Sequence, residues 1–520
     1  MNKFFIRLAL ILTPFFCFAQ SKKSILPTTK FEQLSAKQSK PNGEFLKLQD
    51  SLEIMAKGLV EKLAIDRSKI PVFDVVKDFK FDNTGTQLVT KQFQHSIDSC
   101  TANGPVRLFF PKGTYLTGTI ILKSGTHIEL SANAKIIAST DAKDYPIIYP
   151  EYKANTDLQV NKSLFYAEKV HDISFTGKGI IDFRGDDAVY LNTGNNDTRR
   201  PFGMRIISSK DIYVAGLMFI NSPQWMQHYL NCENLMIENQ NVFNHAHQNN
   251  DGMDIDGCKN VYIRNCKVDS DDDAICLKSN GPSKCENVLI EDCIASSHCN
   301  ALKLGTETTG GFKNIVYRNC KVVPSVTSHH YINGTETCHT AITLIITDGG
   351  KMENVWFNNI DADDCVTPLF ITLGNRSRKY TKDAPQPGIG SIENVLISNF
   401  HATSAGPMSS SVTGLDNNHQ LKNVILENIT LELSHAGKKE DRSIDMVQVL
   451  KRVKAGYPSP DGWGDLTSAG LYCRYVYGLK INNLKIKSSN PEPREPVIID
   501  ECSKVETQSI TNNNQVYKIK

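Results

Sequence analysis

The stretches CKNVYIRNCKV (258–268), CENVLIEDCIA (285–295) and FKNIVYRNCKV (312–322) repeat one pattern at a fixed step of 27 residues. Each stretch is a short run of alternating apolar residues that ends in Asn or Asp, the chemistry of a strand followed by a turn. Looser copies begin at Asp172, Asp211, Asn234, Asn354, Asn394, Asn423 and Gly478. A repeat this short leaves no room for a strand, a crossover helix and a returning strand. The pattern therefore predicts an all-β, single-stranded right-handed parallel β-helix of about ten coils.

Equivalent residues of successive coils stack on one another in such a solenoid. We therefore expect Cys266, Cys293 and Cys320 to form an interior ladder of thiols, and the turn asparagines to form a hydrogen-bonded ladder. The 14 cysteines include no CxxC pair and no Cys/His spacing typical of a metal site. Buried thiols are therefore expected in place of a disulfide framework.

The N-terminal residues place Lys3 and Arg7 before an apolar stretch that ends in CFA (17–19). This pattern predicts a signal peptide over residues 1–19, and hence an exported protein, periplasmic or extracellular. Without those residues the numbers of basic and acidic side chains are equal, so the composition shows no excess of positive charge of the kind that binds nucleic acid. No later stretch approaches the roughly 20 apolar residues of a membrane span. We expect a monomer.

The remaining chain divides by composition and periodicity. Residues 20–74 are predicted to be a linker and N-terminal capping segment, 75–505 the parallel β-helix catalytic domain, and 506–520 a C-terminal tail. The helix-period runs at 45–63 and 92–100 are both predicted to cap the N-terminal end, because an open solenoid must cover its first strand.

Two acidic motifs stand out against the repeat: NNDGMDIDG (249–257) and DSDDDAICLKS (269–279). Asp251 and Asp272 are 21 residues apart, about one coil, so Asp251 is predicted to approach Asp272 and Asp273. Neighbouring carboxylates raise one another's pKa, and a protonated acid beside an ionised carboxylate is what glycoside hydrolysis requires. For the other aspartates we favour structural roles, either bonding to turn backbone or holding a structural calcium: Asp254, Asp256, Asp269 and Asp271.

These motifs, with FFPKGTYLTGTIILKSGTHIELSANAKIIASTDAKDYP (109–146), INSPQWMQHYLNCENLMIEN (220–239) and LGTETTGGFKNI (304–315), resemble glycoside hydrolase family 28, the polygalacturonase and rhamnogalacturonan hydrolase family. The resemblance covers most of the chain. It implies a right-handed parallel β-helix that hydrolyses α-linked galacturonic acid bonds of pectin with inversion and without a metal or other cofactor. The implied partner is an acidic plant cell-wall polysaccharide or its oligosaccharides.

The resemblance also implies roles for individual residues. The family's Asn-x-Asp-Gly-x-Asp motif matches residues 249–254, and its Asp-Asp-Cys/Ala-Ile motif matches residues 272–275. Asp272 would then be the general acid, Asp251 and Asp273 would hold and deprotonate the attacking water, and Asn249 would bind substrate.

Two departures from the family pattern bear on the substrate. Where the family has Gly-His-Gly, alignment on Gly305 puts Cys299 at the histidine position and His298 one residue early. His298 is therefore either a substrate-binding residue or a turn residue on the opposite face. The family's Arg-Ile-Lys motif is also missing, because AITLIITDGG (341–350) contains no basic residue. Without those charges a galacturonate carboxylate loses its partners at that subsite, which favours a rhamnogalacturonan-type substrate.

Three basic residues are candidates for replacing those contacts. Arg376 and Arg378 either bind a uronate at another subsite or belong to a solvated turn, and Lys278 either contacts substrate or offsets the carboxylates. Trp225 either stacks on a sugar ring or lies in the core.

Other functions remain open: a polygalacturonase (exo or endo) on homogalacturonan, a β-helix polysaccharide lyase using calcium and a basic residue, or a non-catalytic polysaccharide-binding solenoid. Endo or exo action would depend on whether a loop such as 323–340 closes the groove.

Overall fold

Parallel strands stack into three sheets that wind around one apolar interior, which confirms the predicted right-handed parallel β-helix. The computed structural model describes residues 43–158, 161–190, 193–194, 197–326, 337–404, 406–446 and 456–519. The predicted signal peptide and most of the predicted linker lie outside the described residues.

Sheet A contains β1 (Val72–Asp74), β3 (Val106–Phe110), β6 (Thr126–Leu130), β9 (His171–Gly177), β12 (Lys210–Ala215), β15 (Glu233–Glu238), β18 (Lys259–Arg264), β21 (Cys285–Glu291), β24 (Phe312–Val322), β26 (Lys351–Leu373), β27 (Ser391–Ser404), β29 (Leu421–Leu433), β31 (Val476–Ser488) and β33 (Glu506–Asn512). Sheet B contains β2 (Thr84–Leu88), β4 (Gly113–Thr117), β7 (Ala134–Ala138), β10 (Ile180–Asp182), β13 (Met218–Ile220), β16 (Asn241–Asn244), β19 (Lys267–Ser270) and β22 (Ile294–Ser297), and continues into the second half of β24. Sheet C contains β5 (Ile120–Ile121), β8 (Ser163–Glu168), β11 (Phe202–Ile207), β14 (Gln227–Leu230), β17 (Met253–Asp256), β20 (Ile275–Ser279), β23 (Asn300–Thr308), β25 (Cys338–Ile346), the end of β26, β28 (Ser410–Thr413), β30 (Ser468–Arg474) and β32 (Glu495–Asp500). A last strand, β34 (Gln515–Val516), pairs antiparallel with β33.

The helices of the described residues are short apart from the first: α1 (Gly43–Leu63), α2 (Thr90–Cys100) and α3 (Pro460–Trp463), with 3-10 turns at Thr101–Asn103, Ala142–Asp144, Asn155–Leu158, Ala188–Tyr190 and Lys439–Ser443. None of these helices is long and apolar enough to cross a membrane.

The register of sheet A follows the 27-residue repeat. Val261 pairs with Val288, and Val288 pairs with Ile315 one coil further on. The inward side chains are buried, and the thiols of Cys266 and Cys293 stack among them as predicted. Within the part of the chain that the structure describes, all thirteen cysteines are free thiols. Sheet A holds more strands than the ten copies recognised in the sequence, because its N-terminal coils lack the Asn and Cys signature.

The turn asparagines also form the predicted ladder. Each asparagine after the first donates from its side-chain amide to the amide oxygen of the asparagine one coil earlier, at 3.0–3.3 Å, and the first, Asn234, donates to Asp211. Their φ angles of +54 to +58° are left-handed, a conformation that Asn tolerates better than other residues with a side chain. The ladder runs through Asn234, Asn260, Asn287, Asn314, Asn354, Asn394 and Asn423.

Helix α1 does not cap the N-terminal end as predicted, but lies along the outside of sheet A. Its apolar face covers a stripe of outward residues from successive coils: Met236, Tyr262, Leu289, Val316, Trp356 and Leu396. Phe45 of the helix packs its ring 6.0 Å from that of Trp356. Helix periodicity predicts that an apolar face will be buried, but the partner surface comes from strands that are far away in sequence.

Helix α2 does lie at the N-terminal end, where Phe93 and Ile97 join the interior core beside the first strands. The strands extend beyond the predicted 75–505 range at both ends, since β1 begins at Val72 and the expected tail contributes β33. On sheet C, Trp463 of α3 packs against Phe370 at 5.4 Å between ring centroids. Part of the loop predicted to close the groove, residues 327–336, lies outside the described residues.

Candidate active site

The acidic motifs occupy successive turns at the corner between sheets B and C. Asp251 precedes β17, and Asp272 and Asp273 precede β20. The Gly252 amide donates to the carbonyl of Asp273 at 2.9 Å, which fixes the two turns against each other. A Cβ on Gly252 would lie 2.4 Å from Val268, so the glycine of the motif is required for this close approach.

Lys278 lies among the carboxylates and forms ion pairs with three of the aspartates. Its ammonium nitrogen lies 3.1 Å from Asp251, 3.3 Å from Asp254 and 3.4 Å from Asp273. It also lies 4.4 Å from the centroid of the Trp225 ring, and its side chain is only 3% exposed. Lys278 therefore offsets the acidic charges, and Trp225 covers it.

A second lysine, which the sequence analysis missed, binds the same cluster from the next coil. The ammonium of Lys303 lies 2.7 Å from Asp273 Oδ2 and 2.8 Å from the Tyr457 hydroxyl. Asn300 donates to the other oxygen of Asp273 at 2.7 Å, and its own oxygen accepts from Thr343 at 2.8 Å. A charged residue at an outward position of the apolar strand NALKL was the available signal.

These contacts and the burial of the cluster shift the pKa values of its carboxyl groups in different directions. Burial, and then the carboxylates of Asp251 and Asp273, raise the pKa of Asp272 well above its ordinary value. Burial and the nearby Asp254 likewise raise the pKa of Asp251, and burial raises the pKa of Asp254 to about 8. Burial opposes ionisation of Asp273 too, but Lys303 and Lys278 outweigh it and hold the pKa of Asp273 below its ordinary value.

A cleft of about 450 Å³ opens beside this cluster. Its lining includes Gln248, Asn249, Asp272, Cys299 and Asn300. Residues from later in the chain, which we call the wall of the cleft, also line it: His339, Ile345, Tyr457 and Pro458. Asp272 is only half-buried whereas Asp251 and Asp273 are each 1% exposed, so Asp272 is the acidic group that reaches the cleft.

Asn249 lies in this cleft beside the acid. Its amide donates to Asp272 Oδ2 at 3.4 Å. The buried guanidinium of Arg200 fixes its loop by donating to the carbonyl of Gln248 at 2.6 Å. Asn249 is therefore in position to contact both Asp272 and a ligand.

The structure places His298 outside the cleft, contrary to a substrate-binding role. Its side chain is 0% exposed, and its Nε2 bonds to the carbonyl of Val326 at 2.8 Å. It faces His245 and Asp271, whereas Cys299 lines the cleft beside Asp272. Because alternate residues of an extended chain point to opposite faces, the one-residue offset in the sequence separates the two side chains.

Arg376 and Arg378 are held by carboxylates of the protein itself. Arg376 binds Asp348 at 2.5 and 3.0 Å, and Arg378 binds Glu307 at 2.6 Å. Burial would raise the pKa of Glu307, but Lys278 and the two arginines hold it well below its ordinary value. The charges of these arginines are therefore largely neutralised, although the side chain of Arg378 is 34% exposed.

The strand where the basic motif was expected, β25, presents apolar and uncharged groups to the cleft. Ile345 lines the cleft and packs against Phe370 and Trp463. His339 lines the same wall, with its Nε2 3.3 Å from a carboxylate oxygen of Asp461. The absence of Arg and Lys from the motif therefore leaves a mainly apolar wall.

Two groups of side chains among the described residues have donor atoms close enough together to hold a metal ion. One is His245, Asp271 and His298, and the other is Asp272, Asp273 and Cys299, with the atoms of each group within 4.8 Å of one another. The second group is poorly suited to a cation, because Lys303 and Lys278 already neutralise Asp273.

Comparison with known proteins matches the chain to a protein family. Residues 100–452, well over half of the chain, match the sequence model described as Glycosyl hydrolases family 28. A probable polygalacturonase from Vitis vinifera is 29% identical over 214 residues, which cover 39% of this chain and 43% of the relative. The match thus spans less than half the length of that relative.

Solved structures share the fold. The hyperthermoactive exopolygalacturonase from Thermotoga maritima aligns with a TM-score of 0.60 at 21% identity, over 74% of this chain and 93% of its own. The family 28 exopolygalacturonase from Yersinia enterocolitica aligns with a TM-score of 0.61 at 17% identity, over 86% of this chain and 79% of its own.

Proposed function

Because the chain belongs to glycosyl hydrolases family 28, we propose that it is an inverting glycoside hydrolase that cleaves α-linked galacturonic-acid-containing bonds of pectic polysaccharides. The observation that carries the proposal is the opposite pKa shift of two adjacent carboxyl groups at the cleft. Asp272, with a raised pKa, reaches the cleft, and Asp273 beside it has a lowered pKa. A pair of this kind supplies an acid and a base at the same pH.

In the proposed reaction, Asp272 donates its proton to the glycosidic oxygen of the leaving sugar. The bond between that oxygen and the anomeric carbon breaks, while a water molecule on the opposite face of the ring forms the new bond. Asp251 and Asp273 hold this water, and Asp273, which stays ionised, accepts its proton. One carboxylate oxygen of Asp251 is buried and has no hydrogen-bond partner among the described residues, which suits a bound water.

The two lysines argue against a lyase, in which a neutral Lys or Arg would remove a proton from the sugar. Burial would lower the pKa of Lys278 and of Lys303, but the surrounding carboxylates hold both well above the ordinary value. Both therefore remain protonated and cannot act as bases. Their role in the proposed reaction is to keep Asp273 ionised.

We further propose that a rhamnogalacturonan-type substrate is preferred over homogalacturonan. Rhamnose carries a methyl group where galacturonate carries a carboxylate, so it suits the apolar wall formed by Ile345 and the Tyr457 ring. A galacturonate carboxylate at that wall would lose hydration and find no Arg or Lys there, only His339, whose pKa is lowered by burial. Arg378 is the exposed basic group available to a uronate further along the groove.

An exported location completes the proposal, with an acidic plant cell-wall polysaccharide or its oligosaccharides as the partner. Its support is the charged and then apolar pattern of residues 1–19, together with a polymeric substrate that is too large to enter a cell intact.

The test is product analysis of the full chain incubated with rhamnogalacturonan I oligosaccharides and, separately, with polygalacturonic acid. We expect new reducing ends of inverted anomeric configuration by NMR, a higher kcat/KM on rhamnogalacturonan, and no change with a chelator. Unsaturated products that absorb in the ultraviolet would identify a lyase. Binding without release of reducing ends from either polymer would identify a non-catalytic solenoid.

A further inference from the structure

A second polar cluster lies on the sheet B side of the same corner and has no part in the proposed reaction. It consists of His245, Asp269, Asp271 and His298, which we call the His245 cluster. His245 follows β16, Asp269 and Asp271 lie at the end of β19, and His298 follows β22. The cluster therefore links three successive coils of the solenoid.

The imidazole of His245 is held between two carboxylates. Its Nδ1 lies 2.7 Å from Asp271 Oδ1, and its Nε2 lies 3.0 Å from Asp269 Oδ1. The Nε2 of His298 lies 3.8 Å from the same Asp271 oxygen. Both nitrogens of His245 therefore face carboxylate oxygens, and the three possible ligand side chains His245, Asp271 and His298 have donor atoms within 4.8 Å of one another.

One carboxylate oxygen of this cluster lacks a partner. The side chains of Asp271 and Asp269 are 0% and 10% exposed, and Asp269 also accepts a hydrogen bond from Ser325 at 2.6 Å. Asp271 Oδ2 is buried and has no hydrogen-bond partner among the described residues. A buried carboxylate oxygen without a partner is costly, and a cation is the ordinary remedy.

We propose that the His245 cluster binds one divalent transition-metal ion, for which Zn²⁺ is the best match, through His245, Asp271 and His298. Imidazole and carboxylate ligands together favour zinc over calcium, which prefers oxygen ligands alone. Asp269 is the adjacent carboxylate that can complete the site or accept a hydrogen bond from a ligating imidazole.

Binding of this ion requires modest side-chain movements and the loss of one hydrogen bond, that of His298 Nε2 to the carbonyl of Val326 at 2.8 Å. Ligand atoms about 2.0–2.1 Å from a tetrahedral zinc are about 3.3 Å apart. The 2.7 Å contact between His245 and Asp271 must therefore widen, and the 3.8 Å gap to His298 must close, each by about half an ångström.

The proposed site ties coils together and supplies no chemistry to the cleft, so it stands or falls independently of the hydrolase proposal. Its first test is calorimetric titration of ZnCl₂ into the untagged, chelator-treated full chain. We expect saturable binding of one ion per chain and a higher melting temperature in the metal-loaded protein. Absence of saturable binding, or binding that leaves the melting temperature unchanged, would overturn the proposal.

Variants distinguish this site from the acidic cleft, the other group whose geometry could accept a metal. His245→Gln and His298→Gln should each weaken zinc binding by at least about tenfold, whereas Cys299→Ser should leave it unchanged. Loss of binding in Cys299→Ser, with normal binding in both histidine variants, would assign the ion to the cleft and refute the His245 site. If one histidine variant fails to fold, the other and the titration of the unmodified protein still decide the question.

Discussion

Asp271 and Asp272 are adjacent in the sequence but belong to clusters of different character. Asp272 reaches the cleft beside Asp251 and Asp273, where Lys278 and Lys303 supply the positive charge. Asp271 is fully buried in the His245 cluster, where an imidazolium supplies it. The acidic block DSDDD (269–273) is therefore tolerated because its first two aspartates and its last two find different cations on the two sides of one corner. In the first cluster the arrangement shifts the pKa values of Asp272 and Asp273 in opposite directions. In the second it leaves Asp271 Oδ2 without a hydrogen-bond partner among the described residues.

The largest effect expected is that of Asp272→Asn, which removes the proton donor of the cleft. We expect kcat to fall by about 10²–10⁴-fold, while the melting temperature stays close to that of the unmodified protein, because a neutral amide replaces a carboxyl group that already holds a proton. The measurement is release of reducing ends, with thermal melting of the same preparations.

The control for Asp272→Asn is Asp363→Asn, an exposed aspartate on β26 that does not line the cleft. Its activity should match that of the unmodified protein. Turnover near the unmodified level in Asp272→Asn would remove Asp272 from the reaction and undo the contrast between the two clusters.

Lys303→Met tests how the cleft keeps its base ionised. Without the ammonium 2.7 Å away, the pKa of Asp273 should rise, so the acidic limb of the pH–rate profile should move to higher pH. We expect kcat at neutral pH to fall by about 100-fold.

Tyr457→Phe is the matched variant for Lys303→Met, because it removes only the hydroxyl that Lys303 contacts at 2.8 Å. The acidic limb of its pH–rate profile should stay close to that of the unmodified protein. An unshifted limb in Lys303→Met would show that Lys303 does not control the base.

Sheet A offers a stability test that should leave the chemistry untouched. Leu289→Ala opens a cavity beneath α1 and should cost about 2–4 kcal/mol in the free energy of unfolding, without changing kcat. The control is Ile54→Ala on the solvent face of the same helix, where the side chain is 74% exposed and the cost should stay within about 0.5 kcal/mol. If urea denaturation showed the same loss in the free energy of unfolding for Leu289→Ala and Ile54→Ala, the packing of α1 on sheet A would be contradicted.

The last two tests concern stability as a function of pH. Folding raises the pKa of Asp254 from 3.8 to about 8, so the folded state holds a proton that the unfolded state releases. The free energy of unfolding should therefore fall as pH rises from about 4 to about 8. Asp254→Asn, which is neutral throughout, should show a shallower fall between pH 5 and pH 8 in urea denaturation. An unchanged slope would indicate that Asp254 is ionised in the folded protein.

The stability of the His245 cluster should depend on pH through a group that is charged when protonated, whereas Asp254 is neutral when protonated. Folding raises the pKa of His245 from 6.5 to about 9, so its stabilising contribution is complete below 6.5 and is lost as pH rises through 9. This loss should persist in Asp254→Asn and disappear in His245→Gln, which separates the titrations of the two clusters.

Much of this site could be predicted from its own turns. Asp251, Asp272 and Asp273 come together because residues one coil apart stack, which a 21-residue spacing already indicates. Lys303 was missed because its partner Asp273 is thirty residues away and nothing local distinguishes it from a surface lysine. The two arginines at 376 and 378 were candidates for binding substrate, but Asp348 and Glu307, from other coils, bind them.

The sequence by itself determined the coil repeat, the thiol and asparagine ladders and the acidic corner, because each arises from periodicity and from residues about one coil apart. Only the tertiary structure decided that α1 lies along sheet A, that His298 turns away from the cleft, and which cation meets each carboxylate. The physical reason is range. Strand alternation and turn chemistry act over a few residues, whereas burial and charge pairing depend on side chains that insertions of varying length bring together across coils.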